Sequence, residues 1–71
     1  MKTVQPGLWR HFKGNLYRVH GTALHSETGE EMVVYQALYG QKGLWVRPVA
    51  MWVEKVERET YSGPRFVRVG D

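Results

Sequence analysis

Two sets of residues in this chain carry side chains capable of chemistry. The first is His25-Ser26-Glu27, a base, a hydroxyl and an acid in a row. A Ser-His-acid relay needs its members to converge in space, with the base within hydrogen-bond reach of the nucleophile. Adjacent strand residues point to opposite faces, so the tripeptide reads as turn chemistry. On that reading Ser26 and Glu27 organise a reversal, and His25 satisfies a polar group at its rim. His11, His20 and His25, with Glu27 or Glu31, would be the donors of any zinc site. His20 and His25 lie an odd number of residues apart on one strand and face opposite ways, and no familiar ligand spacing is present. The eight glycines stand singly, so no phosphate-cradling loop is present. No metal, cofactor or catalytic group is expected.

The second set is Arg18, Gln36, Trp45 and Arg47. An indole plane beside a guanidinium can stack a base or another planar ligand, while arginine holds phosphate or carboxylate. The competing assignment is structural: Arg47 bonds an acid such as Glu54, and the N-terminal segment covers Trp45, since indoles are more often buried than displayed. Arg65, between Pro64 and the core residue Phe66, is a secondary candidate. It joins Arg68 in a basic patch only if the strand bends, because the two are three residues apart.

These residues are positioned by the stretch from His25 to Trp52. Two turn signals there flank a run of β-branched and aromatic residues, the pattern of two hairpins sharing a central strand. A three-residue loop Glu27-Thr28-Gly29, with Gly29 left-handed, sets Ser26 against Glu30. Ala23 then opposes Val33, Gly21 opposes Tyr35, Val19 opposes Ala37 and Tyr17 opposes Tyr39. A second loop from Gly40 to Gly43 sets Tyr39 against Leu44, Ala37 against Val46 and Tyr35 against Pro48. Both turns nominate one inner face: Tyr17, Val19, Ala23, Val33, Tyr35, Ala37, Tyr39, Leu44 and Val46. The outer face collects Arg18, His20, Thr22, Leu24, Met32, Val34, Gln36, Leu38, Trp45 and Arg47. A slip of one residue in either turn exchanges the faces and buries Met32, Val34, Leu38 and Trp45 instead.

The rest of the chain supplies short strands. Pro6-Gly7 opens a candidate strand from Leu8 to Lys13 with Trp9 and Phe12 as anchors, and Gly14-Asn15 reverses it. Leu16 to His25 is a longer strand, with a bend or bulge at Gly21. Val49, Trp52, Val53 and Val56 also fit helical spacing. Eight residues is short for a helix, so a 3₁₀ turn over Pro48 to Met51 and a strand from Trp52 to Arg58 are preferred. Tyr61 to Pro64 reads as a turn and Arg65 to Val69 as a closing strand. The fold class expected is all-β, a small SH3-like, partly open barrel of five or six antiparallel strands with one short 3₁₀ turn.

Composition sets the outer limits. A chain of 71 residues is one domain, here 1–71 with an ordered core over 8–69. Such a chain buries only about 60% of its unfolded surface. It has no cysteine to form disulfides or thiolate metal sites. No opening apolar run suits a signal peptide, and no stretch approaches the roughly 20 apolar residues of a membrane span. A soluble, cytoplasmic protein is the expectation. Net charge is +3 and the isoelectric point about 9.5. Lys2, Arg10, Lys13 and Arg18 precede the first acid, Glu27, a modest bias toward an anionic partner.

The words Lys13-Gly14, Tyr17, His25-Ser26-Glu27-Thr28, Val33-Val34-Tyr35-Gln36, Leu38-Tyr39, Trp45-Val46-Arg47-Pro48, Met51-Trp52, Glu54 and Pro64-Arg65-Phe66 occur together. In this combination the chain resembles the small bacterial domain-of-unknown-function family 1653, over about Trp9 to Val69. Trp52 stands where that family usually shows Phe. The resemblance implies an SH3-type barrel and transfers no activity. The function expected is a non-catalytic recognition module, with Trp45, Arg47, Gln36 and Arg18 binding nucleic acid or a protein segment. The alternative is a protein–protein adaptor or homodimer that buries Met32, Val34 and Leu38 or pairs an exposed strand edge. A small enzyme using His25 and Glu27 ranks third. No membrane partner is expected, and the chain is taken as a monomer or homodimer.

Overall fold

The computed structural model describes residues 4–40 and 42–71. Met1 to Thr3, including Lys2 of the basic group, and Gln41 of the second expected loop lie outside the described residues. Seven antiparallel strands and one helical turn follow in order. They are β1 (Gly7–His11), β2 (Leu16–Leu24), β3 (Glu31–Ala37), β4 (Leu44–Pro48), α1 (Val49–Trp52), β5 (Lys55–Arg58), β6 (Tyr61–Pro64) and β7 (Phe66–Gly70). A five-stranded sheet runs β4-β3-β2-β1-β7, and β5 with β6 forms a separate two-stranded sheet. The all-β expectation holds. The five or six strands expected are seven, and no ladder closes β4 onto β7 among the described residues. The large sheet nevertheless curls, because Arg47 of β4 brings its guanidinium 5.7 Å from the ring centroid of Phe66 on β7.

The first reversal has the expected left-handed Gly29, at φ +73°. Its loop is one residue longer than expected: the His25 amide donates to the Glu30 carbonyl at 2.8 Å, and the Gly29 amide to the His25 carbonyl at 2.9 Å. The imidazole explains the difference. His25 Nδ1 accepts the amides of Glu27 and Thr28 at 3.1 and 3.3 Å, and Thr28 Oγ1 accepts the Glu30 amide at 3.1 Å. This side-chain cap holds His25 inside the turn's hydrogen-bond system. Ala23 therefore meets Met32, and Thr22 takes the place opposite Val33. A bulge at His20, beside Gly21 at φ +152°, adds a second residue of slip, so Val19 meets Tyr35 and Tyr17 meets Ala37. Two slips restore parity. Tyr17 and Val19 keep the inner face as expected, while Ala23 leaves it and is exposed.

The second hairpin departs by an odd number. Leu44 meets Gln36 instead of Tyr39, and Tyr35 meets Trp45 instead of Pro48. Leu38 and Tyr39 do not pair with β4. The Leu38 amide continues the ladder to the Leu16 carbonyl at 3.2 Å, and the Tyr39 hydroxyl lies 2.8 Å from that of Tyr17. Faces on β4 are consequently exchanged. Leu44 and Val46, expected inside, are exposed, whereas Trp45 and Arg47 turn to the inner face with Tyr35 and Val33.

Three further corrections concern the C-terminal third. The turn after Pro48 is a single α-helical turn, and Trp52 ends it instead of opening a strand. Its spacing from Val49 buries both on one side. Tyr61 to Pro64 is a strand, because the chain reverses earlier, at Glu59-Thr60, leaving Arg58 opposite Tyr61. Pro64 is tolerated at the end of that two-stranded ladder, where no central hydrogen bond is lost. No helix among the described residues is long and apolar enough to cross a membrane.

The core gathers Val4, Val19, Val33, Tyr35, Val49, Trp52 and Phe66. Trp52 stacks on Phe66 with centroids 3.7 Å apart and planes 1° from parallel, and Trp9 and Tyr35 pack their rings against Trp52 at 5.8 and 5.0 Å. The Trp52 indole N–H is buried with no hydrogen-bond partner. Truncating this ring to Ala should cost about 3–5 kcal/mol, enough to unfold so small a domain. Trp52→Phe keeps the stack and removes an unsatisfied donor, so its stability should stay within about 1 kcal/mol of wild type. Urea unfolding of the two variants checks this; equal losses for Phe and Ala would contradict it.

Candidate ligand-binding site

The exchange of faces on β4 creates an open hollow of about 410 Å³ at one end of the inner face. Tyr17 of β2, Tyr35 of β3, Tyr39 and Lys42 of the β3–β4 loop, and Trp45 and Arg47 of β4 line it. Tyr17 and Tyr35 form its floor, meeting edge to face at 5.5 Å. Trp45 stands at its rim and is 60% exposed. Lys42 holds a left-handed backbone at φ +55°, rare for a residue with a side chain. The loop is braced from below, where the Gln36 side-chain amide donates to the Lys42 carbonyl at 2.9 Å.

Charge in the hollow is of one sign. Among the described residues neither Arg47 nor Lys42 forms an ion pair. The expected alternative pairing of Arg47 with Glu54 does not occur, because Arg65 holds Glu54 at 2.9 Å. Arg47 instead lies over the Phe66 ring, an arrangement that supports a guanidinium without neutralising it. Burial first, and then the hydrogen bond with Tyr39, push the Tyr17 phenol up to about 12. The Tyr17 hydroxyl therefore remains neutral and able to donate and accept at ordinary pH.

Of the residues expected to bind together, Trp45 and Arg47 do share a surface, but on the inner side. Gln36 and Arg18 pair with one another on the opposite face. Gln36 is occupied by His20, at 3.3 Å, and by the Lys42 carbonyl. Arg18 donates to the Asp71 backbone oxygen at 3.0 Å. The odd slip of β4 is the reason Gln36 and Arg18 separate from Trp45. His25 and Glu27 remain at the β2–β3 turn, where the imidazole caps backbone amides. Arg65 is bound to Glu54, while Arg68 is held by Pro6 and Asp71, so no patch unites the two arginines. Among the described residues no group of three or more His, Cys, Asp or Glu could hold a metal ion.

Sequence reasoning missed Tyr39 and Lys42 as site residues and assigned Tyr17 and Tyr35 wholly to the core. The available signal was three tyrosines on one face, where aliphatic residues would pack as well: a ring with a polar tip belongs where one end is wet.

Beyond the hollow, His11 of β1 meets Phe66 edge-on at 5.0 Å, and its Nδ1 accepts the Lys13 amide at 3.1 Å. Burial, followed by the positive charges of Arg65, Arg47 and Lys13, holds this imidazole below its ordinary pKa of 6.5.

Fold and hollow together define a small all-β domain with an aromatic, cationic surface hollow. The chain belongs to the family described as "Protein of unknown function (DUF1653)", which matches residues 7–68. It is similar to the crystal structure of a protein of that family from Bordetella bronchiseptica. The two are 39% identical, with a TM-score of 0.87 over 94% of this chain and 88% of the other. None of the curated proteins matches.

The depressed His11 pKa has a defined sign. As pH falls through about 6.5, the unfolded chain takes up the proton first, so stability present above that pH is lost below it. Thermal midpoints should fall as pH drops below about 6.5, and less steeply in His11→Gln. Identical slopes in the two proteins would remove His11 as the cause.

Proposed function

We propose that this protein is a non-catalytic recognition module that binds nucleic acid through the hollow formed by Trp45, Arg47 and Lys42. The observation that carries the reading is the exposure of the Trp45 indole, 60%, beside two cations without a carboxylate partner among the described residues. An indole left in water forgoes burial free energy that a small core could use, and a planar ligand would recover it. Net charge of +3 favours an anionic partner. The turn-capping role of the His25 ring supports placing catalysis by His25 and Glu27 last. We read the two sheets as a variant of the SH3-like, partly open barrel, supported by the Arg47–Phe66 approach of the edge strands and the helical turn before the last strands. The cysteine-free sequence supports a reducing, cytoplasmic setting.

Fluorescence anisotropy with labelled single-stranded oligonucleotides tests the binding. Trp45→Ala should weaken it by about 1–3 kcal/mol, or roughly five- to 150-fold. Arg47→Ala should weaken it too and lower the slope of log K against log salt by about one unit. Absent or salt-independent binding would refute the reading.

One observation favours a second reading, a homodimer: β4 is an edge of the large sheet, and its Leu44 and Val46 are 66% and 59% exposed. Unpaired apolar edges invite strand addition. On this reading light scattering at micromolar concentration gives twice the monomer mass, and Val46→Lys restores the monomer. A monomeric wild type rejects it.

A further inference from the structure

A second hollow, of about 480 Å³, lies between the β1–β2 turn and the β5–β6 hairpin, lined by Phe12, Lys13, Arg58, Thr60 and Tyr61. Its chemistry repeats that of the first. Phe12 and Tyr61 are stacked at 5.4 Å with planes 16° apart, and the Tyr61 hydroxyl is fixed by donation to the Pro64 carbonyl at 2.6 Å. The Arg58 guanidinium and Lys13 ammonium lie 5.8 and 5.9 Å from the Phe12 centroid. Neither cation forms an ion pair among the described residues. The nearby acids do not cancel them: Glu57 alternates to the other face of β5 from Arg58, Glu59 stands in the two-residue turn, and Glu54 is taken by Arg65.

The two hollows are joined by a run of contacts. Arg47 covers Phe66 at 5.7 Å, His11 meets Phe66 at 5.0 Å, and His11 meets Phe12 at 4.5 Å. Phe66 is buried beneath, and Arg47, His11 and Phe12 are each half-buried above it. Ring and cation thus recur in order, from Trp45 with Lys42, through Arg47 and His11, to Phe12 with Lys13 and Arg58.

We propose that these hollows are the two ends of one track for a single strand of nucleic acid, which holds several consecutive nucleotides. The proposal rests on the nucleic-acid reading of the Trp45 hollow and adds its extent. A polymer that alternates planar bases with phosphates fits a surface that alternates planes with uncompensated cations, whereas one nucleotide fills only one end. A peptide strand presents neither element at a fixed repeat.

Anisotropy titrations with labelled oligothymidylates of about two to about ten nucleotides, at one fixed salt concentration, test this. For wild type, affinity should rise at least roughly tenfold with length and then level off once both hollows are occupied. In the double variant Lys13→Gln, Arg58→Gln the rise should disappear, leaving long oligonucleotides no tighter than short ones. Both cations are exposed, and an unaltered thermal midpoint confirms that the variant folds. Length-independent binding by wild type, or a full length dependence in the double variant, overturns the track while leaving the Trp45 hollow standing. Failure to bind any oligonucleotide overturns both.

Discussion

The parallel stack of Trp52 on Phe66 is the contact on which the rest of this domain depends. Phe66 begins the last strand of the large sheet, and Trp52 ends the helical turn that follows its first-edge strand. Their contact pulls the two ends of the sheet order toward each other without a backbone ladder between them. Trp9, Tyr35 and Tyr17 then close around the pair from β1, β3 and β2. A 71-residue chain has few large side chains to commit, and placing its biggest rings at one point gives packing that aliphatic residues at the same positions would not supply.

That concentration has a consequence for the surface. Rings that fill the centre also continue outward, so the inner face passes without a break from core to hollow: Trp52, Tyr35, Tyr17, then Tyr39 and Trp45. The Phe66 ring belongs to both, carrying Trp52 on its buried side of the packing while Arg47 and His11 lie against it nearer the solvent. Cations seated on rings keep their charge while giving up little hydration. The rings that hold the fold together therefore also support the cationic surface.

The two hairpins show what a reading by alternation can and cannot reach. Glycines at 21 and 29 marked a bulge and a left-handed turn, and both are present because only glycine adopts those backbone angles readily. The all-β class, the β-branched central strand and the inner positions of Val19, Val33, Tyr35 and Phe66 followed from side-chain pattern. Register did not. In the first turn the His25 ring competes for backbone amides, and in the second Tyr39 leaves the ladder to join Tyr17. Neither competition is visible in a residue-by-residue alternation, since each depends on a side chain finding a partner across the fold or inside its own turn.

By itself the amino-acid sequence determined that this chain forms short antiparallel strands, that Tyr17 and Tyr35 share one face, and that Trp45 and Arg47 share a side. Same-side placement is a local property, set by a separation of two along a strand. Only the tertiary structure decided which side that is, and that Gln36 and Arg18 stand behind the sheet while Lys42 and Tyr39 stand in front. The reason is parity: one odd slip in a loop moves every side chain of a strand through the sheet, and the slip was chosen by contacts between residues far apart in the chain.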